Sequence, residues 1–131
     1  MDRSAKSNKI PKTIAVVESD PAVRNSLKFS LEIEGYHVRT CARGSELFGL
    51  IHPDPVQCVI LEHRLDDISG IELIDRLRAR EYAFPIVMLA THPGHALQRQ
   101  ADWRKISIVE KPILGNALTD KLRELHLPGC C

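Results

Sequence analysis

The chain has 131 residues, of which 44% are hydrophobic and 27% charged, and its formal net charge is +1. This composition is typical of one globular domain with its own core, and the balanced charge does not favour a nucleic-acid-binding protein. No apolar run approaches the roughly 18 residues that a membrane span needs, and the polar, lysine-rich start has no signal-peptide segment, so we expect a cytoplasmic protein that does not bind membranes.

Short apolar segments alternate along the chain with amphipathic segments. Strands are predicted at residues 13–17, 36–41, 56–61, 85–90 and 106–109. Helices are predicted at residues 21–34, 45–51, 70–80, 95–102 and 114–125, the fourth being polar and weak. Strands that alternate with helices form parallel sheets through right-handed crossovers. The sequence therefore predicts an α/β fold, a three-layer sandwich around a five-stranded parallel sheet.

Local signals set the helix boundaries and the domain limits. The first helix follows the cap Asp20 and carries an apolar stripe of Val23, Leu27 and Leu31, which Phe29 and Ile33 continue less regularly. Ser45 is the predicted cap of the second helix. We expect a disordered leader at 1–11, one domain at 12–126 and a tail at 127–131. Nothing in the chain resembles a DNA-reading helix-turn-helix, so we expect a stand-alone domain.

Charged residues follow three of the predicted strands. Glu62 ends the apolar run of the third strand, Glu18-Ser19-Asp20 follows the first, and Lys111 follows the fifth. The carboxyl ends of parallel strands meet at one edge of a sheet, where open α/β folds place their functional sites. We therefore expect these side chains to form one pocket.

In this arrangement the chain resembles the two-component response-regulator receiver domain, a flavodoxin-like fold, from about residue 12 to residue 125. The resemblance rests on five motifs in order: Glu18-Ser19-Asp20, Asp20-Pro-Ala-Val-Arg24, Gly35-Tyr36, Ser69-Gly70-Ile-Glu-Leu73 and Lys111-Pro112. It implies strand order 2-1-3-4-5 and phosphorylation, by a histidine kinase, of an aspartate that ends the third strand. It also implies three carboxylates that bind Mg²⁺, a lysine and a hydroxyl that contact the phosphoryl group, and an aromatic switch residue on the fifth strand.

The chain departs from this pattern at four positions. Glu62 stands at the phosphoacceptor position, Ser19 at that of a metal-binding acid, Ala90 at that of the hydroxyl and Ile108 at that of the aromatic. Thr91 follows Ala90, but adjacent residues of a strand point to opposite faces. Glu18, Asp20 and Lys111 keep the character that the family requires.

Each departure has a chemical consequence. The extra methylene of Glu62 moves its carboxylate by about an ångström, and in-line phosphoryl transfer depends on placement at that scale. Ser19 is neutral and a poor ligand for a hard divalent cation. Mg²⁺ could still bind weakly through Glu18 and Glu62, so we expect no firmly bound cofactor.

Two interpretations of Glu62 remain open: a built-in mimic of the phosphorylated state held by Lys111, or a structural ion pair in an inactive site. We favour the second, because the hydroxyl and the aromatic residue that would transmit the signal are also missing. The predicted function is phosphorylation-independent protein–protein interaction in bacterial two-component signalling, without enzymatic activity. Expected partners are a histidine kinase, a phosphotransfer protein, another signalling protein or a second copy. The alternative is a working phosphorelay receiver that uses Glu62 or Asp66 with Mg²⁺.

Some other residues are conspicuous without indicating a site. His63 is predicted to be a loop residue over the site and not a metal ligand. His92 and His95 are predicted to be solvent-exposed and not a metal pair, because no acidic partner stands at ligand spacing from them. Asp66 and Asp67 are predicted to form a solvated turn. For Trp103, a position in the core and an exposed contact are equally compatible with the sequence.

Overall fold

The computed structural model describes residues 12–125, in which five strands alternate with five helices. The strands are β1 (Thr13–Val17), β2 (His37–Cys41), β3 (Cys58–Glu62), β4 (Ile86–Thr91) and β5 (Ser107–Lys111). The helices are α1 (Pro21–Ile33), α2 (Gly44–Ile51), α3 (Gly70–Ala79), α4 (His95–Arg104) and α5 (Ala117–Glu124). The predicted leader at 1–11 and tail at 127–131 lie outside the described residues.

All strand pairs in the sheet are parallel, and the strand order is β2-β1-β3-β4-β5. This confirms the predicted α/β fold and the order that the resemblance implied. The chain crosses to one side of β1 to reach β2 and returns past β1 to form β3. The carboxyl ends of β1 and β3 therefore flank the point where the strand order reverses, which is where such sheets bind ligands.

Helices cover both faces of the sheet. On one face Leu27 and Leu31 of α1, with Leu118 and Leu122 of α5, pack against side chains such as Ile60. The opposite face is covered by α2, α3 and α4 through buried residues that include Leu47, Leu73, Ile74, Leu77 and Ala101. Covered on both faces, β1 and β3 are apolar along most of their length and form a rigid base for the residues at their carboxyl ends.

Two residues of the predicted apolar stripe on α1 are in fact exposed. Phe29 is 67% exposed and Ile33 is 66% exposed, whereas Leu27 and Leu31 are buried. Successive helical residues are rotated by about 100°, so a residue two positions from a buried leucine points away from the core. The prediction that Phe29 and Ile33 continue the buried stripe was wrong.

The start of α2 also differs from the prediction, since Gly44 and not Ser45 is its first residue and Arg43 precedes it as the N-cap. The free N–H groups of this end bond to carboxylates: Arg43 N donates to Glu46, in the first turn of the same helix, at 3.0 Å, and Gly44 N and Ser45 N each donate to Asp67, in the loop after β3, at 3.0 Å. Ser45 is thus a capped residue and not the cap.

The remaining boundary differences are small. β3 begins at Cys58; Gln57, just before it, donates from its backbone N to Thr13 O at 2.9 Å, and its side chain accepts from Thr13 N at 2.7 Å. β4 ends at Thr91, one residue later than predicted, and β5 ends at Lys111, two residues later than predicted. α4 continues to Arg104, and α5 begins only at Ala117, after Gly115 with its positive φ of 57°.

Candidate functional site: a carboxylate–lysine pocket at the carboxyl edge of the sheet

Three strand ends bring the predicted site residues together. Glu18 directly follows β1, Glu62 is the last residue of β3 and Lys111 is the last residue of β5. Because the strands are parallel, these residues share one edge of the sheet. We call Glu18, Ser19, Glu62 and Lys111 the central pocket.

Glu18 is completely buried, and both of its carboxylate oxygens have partners. Its Oε2 accepts a hydrogen bond from Asp20 N at 3.1 Å, and its Oε1 lies 3.1 Å from Lys111 Nζ. An unpaired charge at this depth would be strongly destabilising, so these contacts allow an acid to follow a fully buried strand.

Glu62 is also held through both carboxylate oxygens. Ser19 donates to Oε1 from its hydroxyl at 3.0 Å and, less directly, from its backbone N–H at 3.4 Å. Lys111 Nζ lies 3.3 Å from Oε2. Lys111 therefore bridges the two carboxylates, and Ser19 fixes the orientation of one of them.

A second cation lies beside the pocket. Arg24, on the first turns of α1, donates from Nη1 to the main-chain oxygen of Glu18 at 2.8 Å and to that of Ser19 at 3.4 Å. Asp20, predicted as part of the acidic pocket, is exposed; it accepts from Ala22 N at 2.9 Å and caps α1. Asp20 thus positions α1, and through it Arg24.

The electrostatics of the pocket separate the two carboxyl groups. Burial, followed by a hydrogen bond with Glu62, raises the pKa of Glu18 to about 7. Burial alone would also raise the pKa of Glu62, but hydrogen bonds with Glu18 and Ser19 and the charge of Lys111 outweigh it and lower that pKa. Burial acts to lower the pKa of Lys111, and the two carboxylates reverse this and raise it. Glu62 and Lys111 are therefore an ionised pair at neutral pH.

The loop after β3 is fixed by close packing. Gly70 N donates to His63 O at 2.7 Å, and a Cβ on Gly70 would lie 2.8 Å from Glu62 O, so the start of α3 requires glycine. Asp66 and Asp67 are both exposed in this loop, as predicted. Asp67 also caps α2, and its hydrogen bonds with Gly44 N and Ser45 N outweigh desolvation and lower its pKa. These partners lie 22 and 23 residues away, and no local pattern indicates them.

The remaining predicted site residues lie beside the central pocket without bonding to it. Ala90 is 2% exposed and apolar, Thr91 is exposed, and Ile108 is half-buried. Thr91 pairs with Lys111 in the β4–β5 register, yet within residues 12–125 no side-chain hydrogen bond joins Thr91 to the pocket. We call Ala90, Thr91 and Ile108 the switch positions.

The histidines and the tryptophan have surface or loop positions. His92 and His95 are exposed, and His92 Nδ1 lies 3.8 Å from the carboxylate of Glu110. His63 Nδ1 is buried without a hydrogen-bond partner, and burial lowers the pKa of this imidazole. Residues 12–125 contain no cluster of three or more His, Cys, Asp or Glu residues that could hold a metal ion. Trp103 is 80% exposed on α4, so of the two positions that the sequence allowed it takes the exposed one and not the core.

Comparison with known proteins agrees with this fold. Residues 14–123 match the response regulator receiver domain family. The chain belongs to this family. It is a receiver domain of two-component signalling, a class of signalling proteins.

Two curated relatives and one solved structure illustrate the range of similarity. The transcriptional regulatory protein FixJ of Bradyrhizobium diazoefficiens is 29% identical over 107 residues, covering 81% of this chain and 52% of FixJ. DctR of Rhodobacter capsulatus, a C4-dicarboxylate transport regulator, is 31% identical over 111 residues, covering 82% of this chain and 56% of DctR. This receiver domain thus spans about half the length of the curated relatives it matches. The receiver domain of a LuxO-type repressor protein from Vibrio parahaemolyticus superimposes with a TM-score of 0.82 at 19% identity, covering 88% of this chain and 90% of that one.

Receiver domains in general bind Mg²⁺ at the phosphorylation site, and the donor set here is a poor match for that ion. Mg²⁺ requires oxygen ligands in near-octahedral geometry. Glu18 and Glu62 both contact the ammonium of Lys111. Ser19, which directly follows Glu18, is neutral and already donates to Glu62.

No helix within residues 12–125 is long and apolar enough to cross a membrane.

Proposed function

We propose that this receiver domain acts in bacterial two-component signalling by protein–protein contact that does not depend on phosphorylation. The observation that carries the proposal is the closed set of contacts at Glu62, where Ser19 binds one carboxylate oxygen and Lys111 the other. In-line phosphoryl transfer needs a carboxylate oxygen placed to approach phosphorus within a fraction of an ångström. A longer side chain that is already held at both oxygens is badly placed for that approach.

The surface offers contacts that do not involve the central pocket. Phe29 and Ile33, one helical turn apart on α1, and Trp103 and Leu114 near β5 are large apolar side chains with most of their surface exposed. Exposed aromatic residues are enriched where proteins bind one another. The partners we propose are a histidine kinase, a phosphotransfer protein or another signalling protein, with a second copy of the chain as a further option. A net charge of +1 gives no support to a nucleic-acid or membrane partner.

The second candidate function is a working phosphorelay receiver with Mg²⁺. One observation favours it: the carboxylate of Glu62 lies 3.3 Å from Nζ of Lys111, the lysine that would receive the phosphoryl oxygens. Against it stand the neutral Ser19 and the switch positions, which offer no hydroxyl bonded to the pocket.

The test is incubation with a small-molecule phosphodonor and Mg²⁺, followed by intact-mass measurement. The matched variant carries Ser19→Asp and Glu62→Asp, which supplies the missing carboxylate and the shorter side chain. An aspartate-bearing receiver reacts in parallel to show that the donor is active. We expect no phosphoryl-sized increase for the natural chain. An increase that is lost in Glu62→Gln would overturn the proposal and establish the phosphorelay receiver.

A further inference from the structure

The negative charges in the central pocket are matched by cations without a metal ion. Glu18 and Glu62 contribute at most two negative charges, and Lys111 and Arg24 contribute two positive ones. Lys111 contacts both carboxylates directly, while Arg24 binds the main-chain oxygens of Glu18 and Ser19. A divalent cation entering this pocket would therefore find no excess negative charge to neutralise.

The position of the lysine nitrogen strengthens this conclusion. Lys111 Nζ lies 3.1 Å from Glu18 Oε1 and 3.3 Å from Glu62 Oε2, so it occupies the space between the two oxygens. A metal shared by these carboxylates would need the same oxygens at about 2.0–2.1 Å for Mg²⁺. The lysine side chain is only 17% exposed, and it is held in place between these carboxylates.

The remaining oxygens of the pocket are also engaged. Glu18 Oε2 accepts from Asp20 N, and Glu62 Oε1 accepts from the hydroxyl of Ser19. Ser19 is thus a hydrogen-bond donor to a carboxylate, whereas a carboxylate at the same position would add a charged ligand. At this position, therefore, the chain has a hydrogen bond from Ser19 to Glu62 where an acidic residue would be a metal ligand.

We propose that Lys111, beside the neutral Ser19, is the cation that neutralises the carboxylates of this pocket in place of a divalent metal. This deepens the proposed function and rests on it, because a pocket neutralised by its own lysine lacks the ion that shields an incoming phosphoryl group. The proposal concerns metal binding, which can be measured without any phosphorylation. Removing the lysine charge is expected to leave two carboxylates that accept a divalent cation.

The experiment measures binding of Mn²⁺, a paramagnetic substitute for Mg²⁺, by electron paramagnetic resonance and by thermal stability. The variants are Lys111→Met and the matched surface control Lys121→Met, which removes a lysine paired with Glu124 on α5. We expect no saturable Mn²⁺ binding by the natural chain or by the control at millimolar metal. Lys111→Met should bind Mn²⁺ at least about tenfold more tightly, since it removes a unit charge a few ångströms away.

Two further variants keep the test decisive. Ser19→Asp adds a carboxylate while Lys111 remains, and it should gain metal affinity even if Lys111→Met fails to fold. Adding Glu62→Gln to whichever variant binds metal should abolish that binding, which places the ion in the pocket. The proposal is overturned if the natural chain binds Mn²⁺ as tightly as the variants and loses it in Glu62→Gln, or if neither folded variant binds.

The outcomes for the two proposals are separate. Metal binding by the natural chain without a phosphoryl-sized mass increase would overturn the role of Lys111 and leave phosphorylation-independent contact standing. A phosphoryl-sized mass increase lost in Glu62→Gln would overturn the proposed function, whatever the metal measurement gives.

Discussion

The central pocket and the switch positions lie side by side at one edge of the sheet, but their interactions differ. In the pocket every charged group contacts another: Lys111 bridges Glu18 and Glu62, and Ser19 orients Glu62. At the switch positions Ala90 is buried and apolar, and Thr91 is exposed. The central pocket is thus tightly connected by ion pairs and hydrogen bonds. In the part of the chain that the structure describes, no side-chain hydrogen bond joins the pocket to the switch positions beside it.

This difference bears on whether Glu62 mimics the phosphorylated state. A mimic requires that the charge at Glu62 alters residues that face a partner. The lysine–glutamate contact would serve a mimic and a structural pair equally well. The absence of a bonded hydroxyl at the switch positions supports the structural pair. We therefore propose that the pocket stabilises the fold and that the partner-binding surfaces are constant.

The largest expected effect on stability is that of Lys111→Met, which removes the cation of the central pocket. It leaves the buried Glu18 facing Glu62 without a cation, so we expect a loss of about 2–3 kcal/mol in the free energy of unfolding at pH 8. Denaturant unfolding provides the measurement. Lys121→Met removes an exposed pair with Glu124 and should change stability by less than about 0.5 kcal/mol. Equal losses of unfolding free energy in the two variants would mean that the contacts of Lys111 with Glu18 and Glu62 do not stabilise the fold.

The next effect is a pH dependence that Glu18→Gln should remove. The pKa of Glu18 is about 7 in the folded chain against an ordinary value of 4.5, so between these values the folded state keeps a proton that the unfolded state has lost. This contribution to stability is full below pH 4.5 and is lost as the pH rises through 7. Across that window the stability of the natural chain relative to Glu18→Gln should fall by about 2.5 kcal/mol.

Comparison with Glu18→Gln cancels the effect of His63, because this histidine titrates in both proteins. Burial lowers the pKa of His63, which acts in the opposite direction as the pH falls below 6.5. Parallel stability curves for the two proteins from pH 4.5 to pH 7 would show that Glu18 keeps an ordinary pKa.

A smaller effect is expected at Asp67, which holds the loop after β3 to α2 independently of the pocket. Asp67→Ala removes the acceptor for Gly44 N and Ser45 N, and loss of such a cap lowers stability by about 1 kcal/mol. Asp66→Ala, in the exposed neighbouring residue, is the matched control and should have almost no effect. A pH or Mn²⁺ response that changed in Asp67→Ala would show that loop and pocket are linked.

For the fluorescence of Trp103, we predict no change when Glu62 is replaced. Trp103 is the single tryptophan of the chain and lies exposed on α4, so its fluorescence reports on that surface. Glu62→Gln should leave the emission unchanged if Glu62 is a structural residue. Arg104→Gln removes the guanidinium 5.5 Å from the indole ring and shows whether the probe responds. A shift in Glu62→Gln would support the mimic.

Much of the fold could be predicted from the sequence, because β1 and β3 are apolar over most of their length. Val17, Glu62 and Lys111 end β1, β3 and β5, and parallel packing then places the pocket residues at one edge. The pairing of Glu62 with Lys111 was predicted for the same reason.

Other features depend on tertiary contacts that have no local pattern. The bridge from Lys111 to Glu18, the hydrogen bond from Ser19 to Glu62 and the contact of Arg24 with main-chain oxygens each require knowledge of side-chain direction. Asp67 caps a helix that begins 23 residues earlier, and Ile68 packs where a Cβ on Gly44 would lie. Exposed Phe29 and Ile33 could have been identified by strict helical spacing from Leu27.

The most direct test of the central claim is a backbone amide NMR spectrum of the natural chain with Mg²⁺ and beryllofluoride, a mimic of the phosphoryl group. The claim is that the pocket is closed by Lys111 and separate from the switch positions. We predict no change in the spectrum of the natural chain, and changes around residue 62 when Ser19→Asp and Glu62→Asp are introduced together. Shifts in the natural chain that extend from Glu62 to Ile108 would contradict the account.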